Sequence, residues 1–146
     1  MLNTTFNPTN TEAFNKEYMA VNWQSSSSAV TAGATQNIDF TLTDDMAFNG
    51  IQLIAKGSTF GDTCTLQIVC ISGTLANGVT ICPPNTVLNQ FGTNIGMCDD
   101  FQTKVDLVSE FPAKLFGGLT IRTIYTSTGS SPVQVIANYK LSSILA

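Results

Sequence analysis

The chain has 146 residues and a mass of 15.6 kDa, which is the length of one domain, and a core of this size buries about 68–70% of the unfolded surface. Hydrophobic residues make up 43% of the chain but charged residues only 11%, against roughly 25% in an average globular protein. Thr, Ser and Asn, which together number 44, fill the difference. Because Thr favours strands while Ser and Asn favour turns, the composition predicts a β protein.

The absence of histidine excludes Ser-His-Asp and Cys-His catalysis within this chain and removes the commonest metal ligand. A net charge of −4, a pI near 4.4 and six scattered basic residues argue against direct binding of nucleic acid. No apolar run reaches about 18 residues, so we expect no membrane span. The first residues lack the pattern of a signal peptide, which predicts synthesis in a reducing cytosol.

Residues 1–34 are predicted to form a polar N-terminal arm. Residues 12–19 have the pattern of a short helix, in which two aromatic side chains are four positions apart. The run Ser25–Ser28 has the composition of a flexible linker. The large apolar groups of the arm are its candidate anchors on a partner subunit, and they are Phe6, Phe14, Tyr18 and Trp23.

From residue 35 to residue 146 the hydrophobic pattern has a period of two, which predicts a β-sandwich domain. Strands are predicted around Ile38–Leu42, Ile51–Ala55 and Thr63–Ser72, and weaker ones at 79–81, 86–91 and 104–107. In the third strand Cys64, Leu66, Ile68 and Cys70 share one face. Residues 119–126 and 133–141 are the clearest strands, and we expect them to pair as a hairpin across Ser127–Pro132. These patterns together predict an all-β protein, an antiparallel, jelly-roll-like sandwich of seven to eight strands with a polar arm.

The four cysteines are predicted to be free thiols that act as small buried hydrophobes. Cys64 and Cys70 lie about 20 Å apart along one strand, so they cannot form a disulfide with each other or bind one zinc ion. A bridge from Cys82 or Cys98 to a strand cysteine stays open.

The remaining candidates for chemistry are carboxylates and aromatic rings. Asp44–Asp45 and Asp99–Asp100 are interpreted as turn formers rather than as a catalytic pair, and with Asp62 they match no calcium-binding loop. We therefore expect no catalytic residues, no metal and no cofactor. An aromatic platform for a glycan could use Trp23, Phe91, Tyr125 and Tyr139, although the last two occupy inward positions of their strands.

Residues 113–129 and 135–139, together with Gly61–Val69, cover about a fifth of the chain and resemble small β-sandwich proteins of bacteriophage particles. The resemblance implies a non-enzymatic virion structural protein, a capsid-associated, decoration or tail subunit located in the virion. Its implied partners are other virion proteins and copies of itself, with no direct contact to nucleic acid or membrane. The alternative is a glycan-binding or receptor-binding sandwich module, and the two functions are compatible because a virion subunit can also bind a host glycan.

Overall fold

The computed structural model describes residues 21–97 and 103–143, and for residues 21–23 and 103–113 it describes the backbone. These residues form eight strands and no helix. The strands are β1 (Val21–Val30), β2 (Thr35–Thr41), β3 (Met46–Lys56), β4 (Thr63–Cys70), β5 (Thr86–Gly96), β6 (Thr103–Leu115), β7 (Thr120–Thr126) and β8 (Val133–Ser143). The described ranges contain no helix that is long and apolar enough to cross a membrane.

The strands form two four-stranded antiparallel sheets, which pack face to face. The first sheet has the order β1-β8-β3-β6 and the second the order β2-β7-β4-β5. Among the consecutive strands, only β4 and β5 are neighbours in one sheet, since every other connection crosses from one sheet to the other. This is the strand order of an eight-stranded jelly roll, so the predicted fold class is confirmed.

The predicted hairpin of the last two strands is wrong. β7 lies between β2 and β4 in the second sheet, whereas β8 lies between β1 and β3 in the first. An alternating pattern specifies which face of a strand is buried, but it does not specify the neighbouring strand. Since the segment between them is six residues long, it can span the roughly 10 Å that separates two packed sheets.

The linker predicted at Ser25–Ser28 is also wrong, because these serines lie within β1 and pair with Val135–Asn138 of β8. A strand at the edge of a sheet is held by backbone hydrogen bonds on one side, so serine side chains do not prevent pairing. Residues 1–20, which contain the predicted helix, lie outside the described residues. A separate arm over those residues stays a prediction.

Two of the weaker strand predictions differ from the structure in length. Residues 79–81 form no strand, and the structure has an isolated bridge between Thr74 and Thr80. The strand predicted at 104–107 extends to Leu115 as β6 and includes Pro112. Because β6 is an edge strand, the missing N–H of a proline there costs no sheet hydrogen bond when it faces away from β3.

The core lies between the two sheets and contains the side chains whose alternation predicted burial. From β4 these are Cys64, Leu66, Ile68 and Cys70, and from β8 they are Val133, Val135, Ala137, Tyr139 and Leu141. Phe40 of β2 stacks on Tyr139 with a distance of 4.8 Å between ring centroids, which joins the two sheets through aromatic packing.

The loops gather at two opposite ends of the sandwich. The Asp62 end consists of residues 31–34, 57–62 and 127–132, and the Gly117 end consists of residues 42–45, 71–85 and 116–119. Val21 at the start of β1 and Ser142 at the end of β8 are paired, and both lie at the Gly117 end. Residues 1–20 therefore enter the fold at that end.

Candidate functional site

The predicted anchors of the N-terminal arm fall mainly outside the described residues. Phe6, Phe14 and Tyr18 precede residue 21, and of Trp23 the structure gives the backbone, which pairs with Lys140 in β8. The role of these four residues as anchors stays a prediction.

Of the two acidic doublets, the structure describes Asp44–Asp45. Asp44 and Asp45 are exposed in the β2–β3 turn, where Asp45 Oδ1 accepts a hydrogen bond of 2.9 Å from the backbone N–H of Gly117. This contact ties the β2–β3 and β6–β7 turns together, which is the turn role predicted for the doublet. Asp99 and Asp100 lie outside the described residues. Where the structure describes the chain, no cluster of His, Cys, Asp and Glu could hold a metal ion.

Asp62 is fully buried, and its carboxylate accepts hydrogen bonds from three parts of the chain. The Tyr125 hydroxyl of β7 donates to Oδ2 at 2.7 Å. Thr128 of the β7–β8 connection donates to Oδ1 from its backbone N–H at 2.7 Å and from its hydroxyl at 2.9 Å. Thr59 donates from its backbone N–H at 3.2 Å and from its hydroxyl at 3.1 Å. The carboxylate thus joins its own loop to the end of β7 and to the start of the sheet-crossing connection.

Two opposing effects act on this carboxyl group. Burial alone would raise the pKa of Asp62, but the hydrogen bonds from Thr128, Tyr125 and Thr59 outweigh burial and hold its pKa below the usual value. For Tyr125, burial and the hydrogen bond to Asp62 both raise the pKa of the hydroxyl. At neutral pH the group is therefore a carboxylate with its oxygens occupied by protein donors, which is a structural role rather than that of a base facing a substrate.

The aromatic platform considered for a glycan is not formed by its strand residues. Tyr125 and Tyr139 are buried in the core, as their inward positions predicted. Phe91 is half-buried and makes an edge contact with Phe48, with 5.5 Å between the ring centroids. Three of the four aromatic residues in the glycan hypothesis thus pack within the domain.

The exposed large apolar side chains are concentrated at one end of the molecule. Among the described residues, Phe60 alone of this group lies at the Asp62 end. The others form what we call the apolar end surface, because all of them lie on or beside the loops of the Gly117 end. These are Val79, Ile81, Val87, Leu88 and Phe116, which are between 42% and 52% exposed.

Most of this surface comes from a part of the chain without charge. Residues 63–98 contain no Asp, Glu, Lys or Arg, and they include β4, the β4–β5 loop and the edge strand β5. By contrast, β6, at the edge of the first sheet on the same side, has four charged residues and a proline. Charges and proline are devices that protect an exposed edge from association, and β5 has neither. The sequence showed this uncharged run, but its exposure could be seen only in the fold.

A groove of about 420 Å³ opens at the same end, between the turn after β2 and the ends of β1 and β8. Apolar groups from β2, its following turn and β3 lie beside polar groups from β1 and β8, and the lining includes Phe40, Leu42, Met46, Gln24 and Ser143. The groove therefore lies close to Val21, where residues 1–20 join the fold.

No protein-family model and no curated protein matches the chain. Among solved structures, 84% of this chain is similar to 84% of a chain of the cyanophage Pam1 capsid asymmetric unit, at 14% identity and a TM-score of 0.42. In infectious bursal disease virus, strain Gx, 87% of this chain matches 36% of a chain at 11% identity and a TM-score of 0.34. In the VP2 subviral particle of that virus, 85% of this chain matches 42% of a chain at 11% identity and a TM-score of 0.29. These likenesses to viral structures are weak, so the function has to be inferred from the chain's own residues.

The two core tyrosines provide a matched test of the Asp62 network. Tyr125 donates to a buried carboxylate, whereas the Tyr139 hydroxyl is buried near Ser26 and Thr123 without a hydrogen bond of regular geometry. We expect Tyr125→Phe to lower the free energy of unfolding by about 1.5–3 kcal/mol, because a hydrogen bond to a charged group is lost. Tyr139→Phe should change it by less than about 1 kcal/mol or increase it, because the hydroxyl that it removes is unsatisfied. Urea unfolding measures both, and equal losses would contradict the network.

Replacement of Asp62 tests the pKa argument. Because the folded pKa of Asp62 lies below the unfolded value, its stabilisation is present above the unfolded pKa of about 3.9 and is lost as pH falls through the folded pKa. We expect Asp62→Asn to cost roughly 2–4 kcal/mol at pH 7, and we expect this difference from the unmutated protein to shrink toward pH 2. Asp39→Asn breaks a partly exposed ion pair with Arg122 and should cost less than about 1 kcal/mol at pH 7. A difference for Asp62→Asn that is constant from pH 7 to pH 2 would be the contrary result.

Proposed function

We propose that this chain is a non-enzymatic structural subunit of a viral particle, a capsid-associated, decoration or tail component that works by protein–protein assembly. The observation that carries the proposal is the apolar end surface. Its exposed side chains face solvent in the isolated chain, and contiguous apolar groups on a soluble domain mark sites of association. The resemblance of residues 61–69, 113–129 and 135–139 to phage sandwich proteins agrees with this role.

Charge favours a second copy of the chain as the partner at this surface. Two identical chains of net charge −4 repel each other wherever their charges meet, and charged residues are depleted from the cores of protein interfaces. Val79, Ile81, Val87 and Leu88 belong to residues 63–98, which bring no charge of their own to such a contact. A neutral surface on an acidic subunit is what self-association requires.

The contact is expected to use side chains rather than a continuous intermolecular sheet. The pairing of β5 with β4 changes register at three places, between Cys64 and Leu66, between Leu66 and Gln67, and between Ile68 and Val69. Such irregularities bend an edge strand and make it a poor template for extended strand pairing. Val87 and Leu88 lie at the start of β5, beside the β4–β5 loop, and they are then the central contacts.

The N-terminal arm supplies a second contact in the proposal. Phe6, Phe14 and Tyr18 would dock on a neighbouring subunit, and the groove beside Phe40 and Met46 is the candidate receiving surface. Its position supports this assignment, because residues 1–20 join β1 at the end where the groove opens. An arm exchanged between neighbours would extend a paired contact into a larger assembly.

The non-enzymatic part of the proposal rests on the chain's own side chains. The chain has no histidine, so its carboxylates are the first candidates for a general acid or base. The buried carboxylate of Asp62 is held by protein donors, and Asp45 holds the Gly117 turn. The structural contacts of Asp62 and Asp45 therefore explain the positions of these two carboxylates.

A single lysine substitution in the apolar end surface tests the contact between two copies of the chain. We expect Leu88→Lys to weaken self-association at least about tenfold, because two copies would then bury like charges close together. Sedimentation velocity over a concentration series measures the change. Asn37→Lys, on the exposed edge of β2, adds the same charge away from the surface and should leave association nearly unchanged. Equal behaviour of the two variants would remove the support for this surface.

Removal of residues 1–20 tests the arm without deleting β1. Because the truncated chain keeps every described strand, its β-type circular dichroism should be retained. We expect assembly to stop at the pair formed through the apolar end surface, and the larger species seen with the full chain in sedimentation to disappear. Unfolding of the truncated protein would place the arm in the domain's own core. Larger species of unchanged affinity would show that the arm is not needed for assembly.

A further inference from the structure

The β4–β5 loop folds back so that its two ends lie side by side. Ile81 donates a backbone hydrogen bond of 2.9 Å to the carbonyl of Gly73, and Leu75 donates one of 2.8 Å to that of Val79. Asn85 then donates to the carbonyl of Cys70 at 2.9 Å. The chain that leaves β4 at Cys70 thus returns along its own path before it enters β5.

This return brings two cysteine side chains together. Cys70 is fully buried at the end of β4, and Cys82 is half-buried on the returning segment, packed against the core. Backbone hydrogen bonds hold Cys82 beside the turn that follows Cys70, because the Gly73 N–H donates to the carbonyl of Cys70 at 3.3 Å and the Cys82 N–H donates to the carbonyl of Gly73 at 3.4 Å. Gly73 permits the approach, because its φ is +75° and a Cβ atom at this position would overlap the carbonyl oxygen of Cys82.

The other cysteines do not compete for this contact in the described structure. Cys64 lies six residues from Cys70 on the same strand, about 20 Å away, and burial raises the pKa of its thiol to about 12. Cys98 lies outside the described residues. Cys70, Cys82 and Cys64 are free thiols in the structure, so any bridge between the first two would have to be made by oxidation.

We propose that Cys70 and Cys82 form a reversible disulfide when the protein meets a low-molecular-weight disulfide such as oxidised glutathione. In the first exchange the Cys82 thiol loses its proton to solvent, and its sulfur attacks one sulfur of the oxidant. A Cys82–glutathione disulfide forms, and one glutathione thiolate leaves. In the second exchange the Cys70 sulfur, after losing its proton, attacks Cys82 Sγ and displaces the second glutathione thiolate. Two protein thiols are oxidised, and one glutathione disulfide is reduced to two thiols.

The order of the two exchanges follows from exposure. Cys82 is the accessible member of the pair, whereas burial and the neighbouring Cys82 both raise the pKa of Cys70. The second exchange is therefore the slow one, and it should accelerate as pH rises. The product ties the returning segment, and with it Val79 and Ile81, to the end of β4.

The experiment treats the reduced full chain with oxidised glutathione and then blocks free thiols with N-ethylmaleimide in denaturant, so that buried thiols also react. All four cysteines lie between Lys56 and Lys104, so trypsin leaves them in one peptide, but chymotrypsin can cleave after Leu66, Leu75, Leu88 and Phe91 and separate them. We expect four reactive thiols before oxidation, two after it, and a linked pair of peptides that contain Cys70 and Cys82. Dithiothreitol should restore all four thiols, and the oxidised protein should melt at a higher temperature than the reduced one.

Matched variants separate this pair from any other. Cys64→Ser should keep the full response, whereas Cys70→Ser should stop at a glutathione adduct on Cys82. Cys82→Ser should form no disulfide and, because the side chain is half-buried, should leave the circular dichroism unchanged. Four thiols that persist in the unmutated protein, a linked pair that contains Cys98, or an unresolved adduct in the unmutated protein would each overturn the proposal.

Discussion

The buried carboxylate of Asp62 is the interaction on which the closed sandwich depends. β7 and β8 belong to opposite sheets, so the connection between them must cross the gap at the Asp62 end. Asp62 holds the start of that crossing, because its oxygens accept from Tyr125 in β7 and from Thr128 just beyond it. A carboxylate deprived of these donors would be buried without compensation, which costs several kcal/mol. The path by which the chain leaves the second sheet is therefore coupled to one side chain.

Neighbouring loops depend on the same residue. The backbone carbonyl of Asp62 accepts from the N–H of Met97, at the end of β5, with a distance of 2.9 Å. Ser127, beside Thr128, donates its backbone N–H to the carbonyl of Ala34 in the β1–β2 connection. All the described connections at this end are thus joined through short polar contacts, which makes the Asp62 end a rigid base for the strands.

The sequence predicted burial much better than it predicted neighbours. The faces of β4 and β8 follow directly from alternation, since a strand's side chains point to opposite sides of its sheet. Whether β7 pairs with β8, β2 or β4 depends on contacts distant in sequence, and a polar six-residue segment suits either a hairpin or a crossing. The prediction of a linker at Ser25–Ser28 is wrong for a related reason. Strand β1 is stabilised by pairing with the backbone of β8 and not by the composition of its own side chains.

The candidate sites show the same division between local and distant information. The uncharged run from residue 63 to residue 98 could be read from the sequence, and the spacing of Cys64 and Cys70 already excluded a bridge between them. The approach of Cys82 to Cys70, however, depends on the return of a loop that alternation does not describe. The exposure of Val87 and Leu88 depends on the position of β5 at an edge with irregular pairing.

At the Gly117 end, close backbone approach acts together with the carboxylate of Asp45, which accepts from the N–H of Gly117. The carbonyl of Gly117 accepts from the N–H of Ala76 at 2.7 Å, so the β6–β7 turn holds the β4–β5 loop. Gly118 has a φ of +99°, and a Cβ atom there would lie 2.7 Å from the nitrogen of Ala76, so a larger residue would force the loop away. This close contact positions the loop that carries Val79 and Ile81 before any partner binds. Because a surface ordered in advance loses less conformational entropy on association, the glycine pair would favour the proposed assembly.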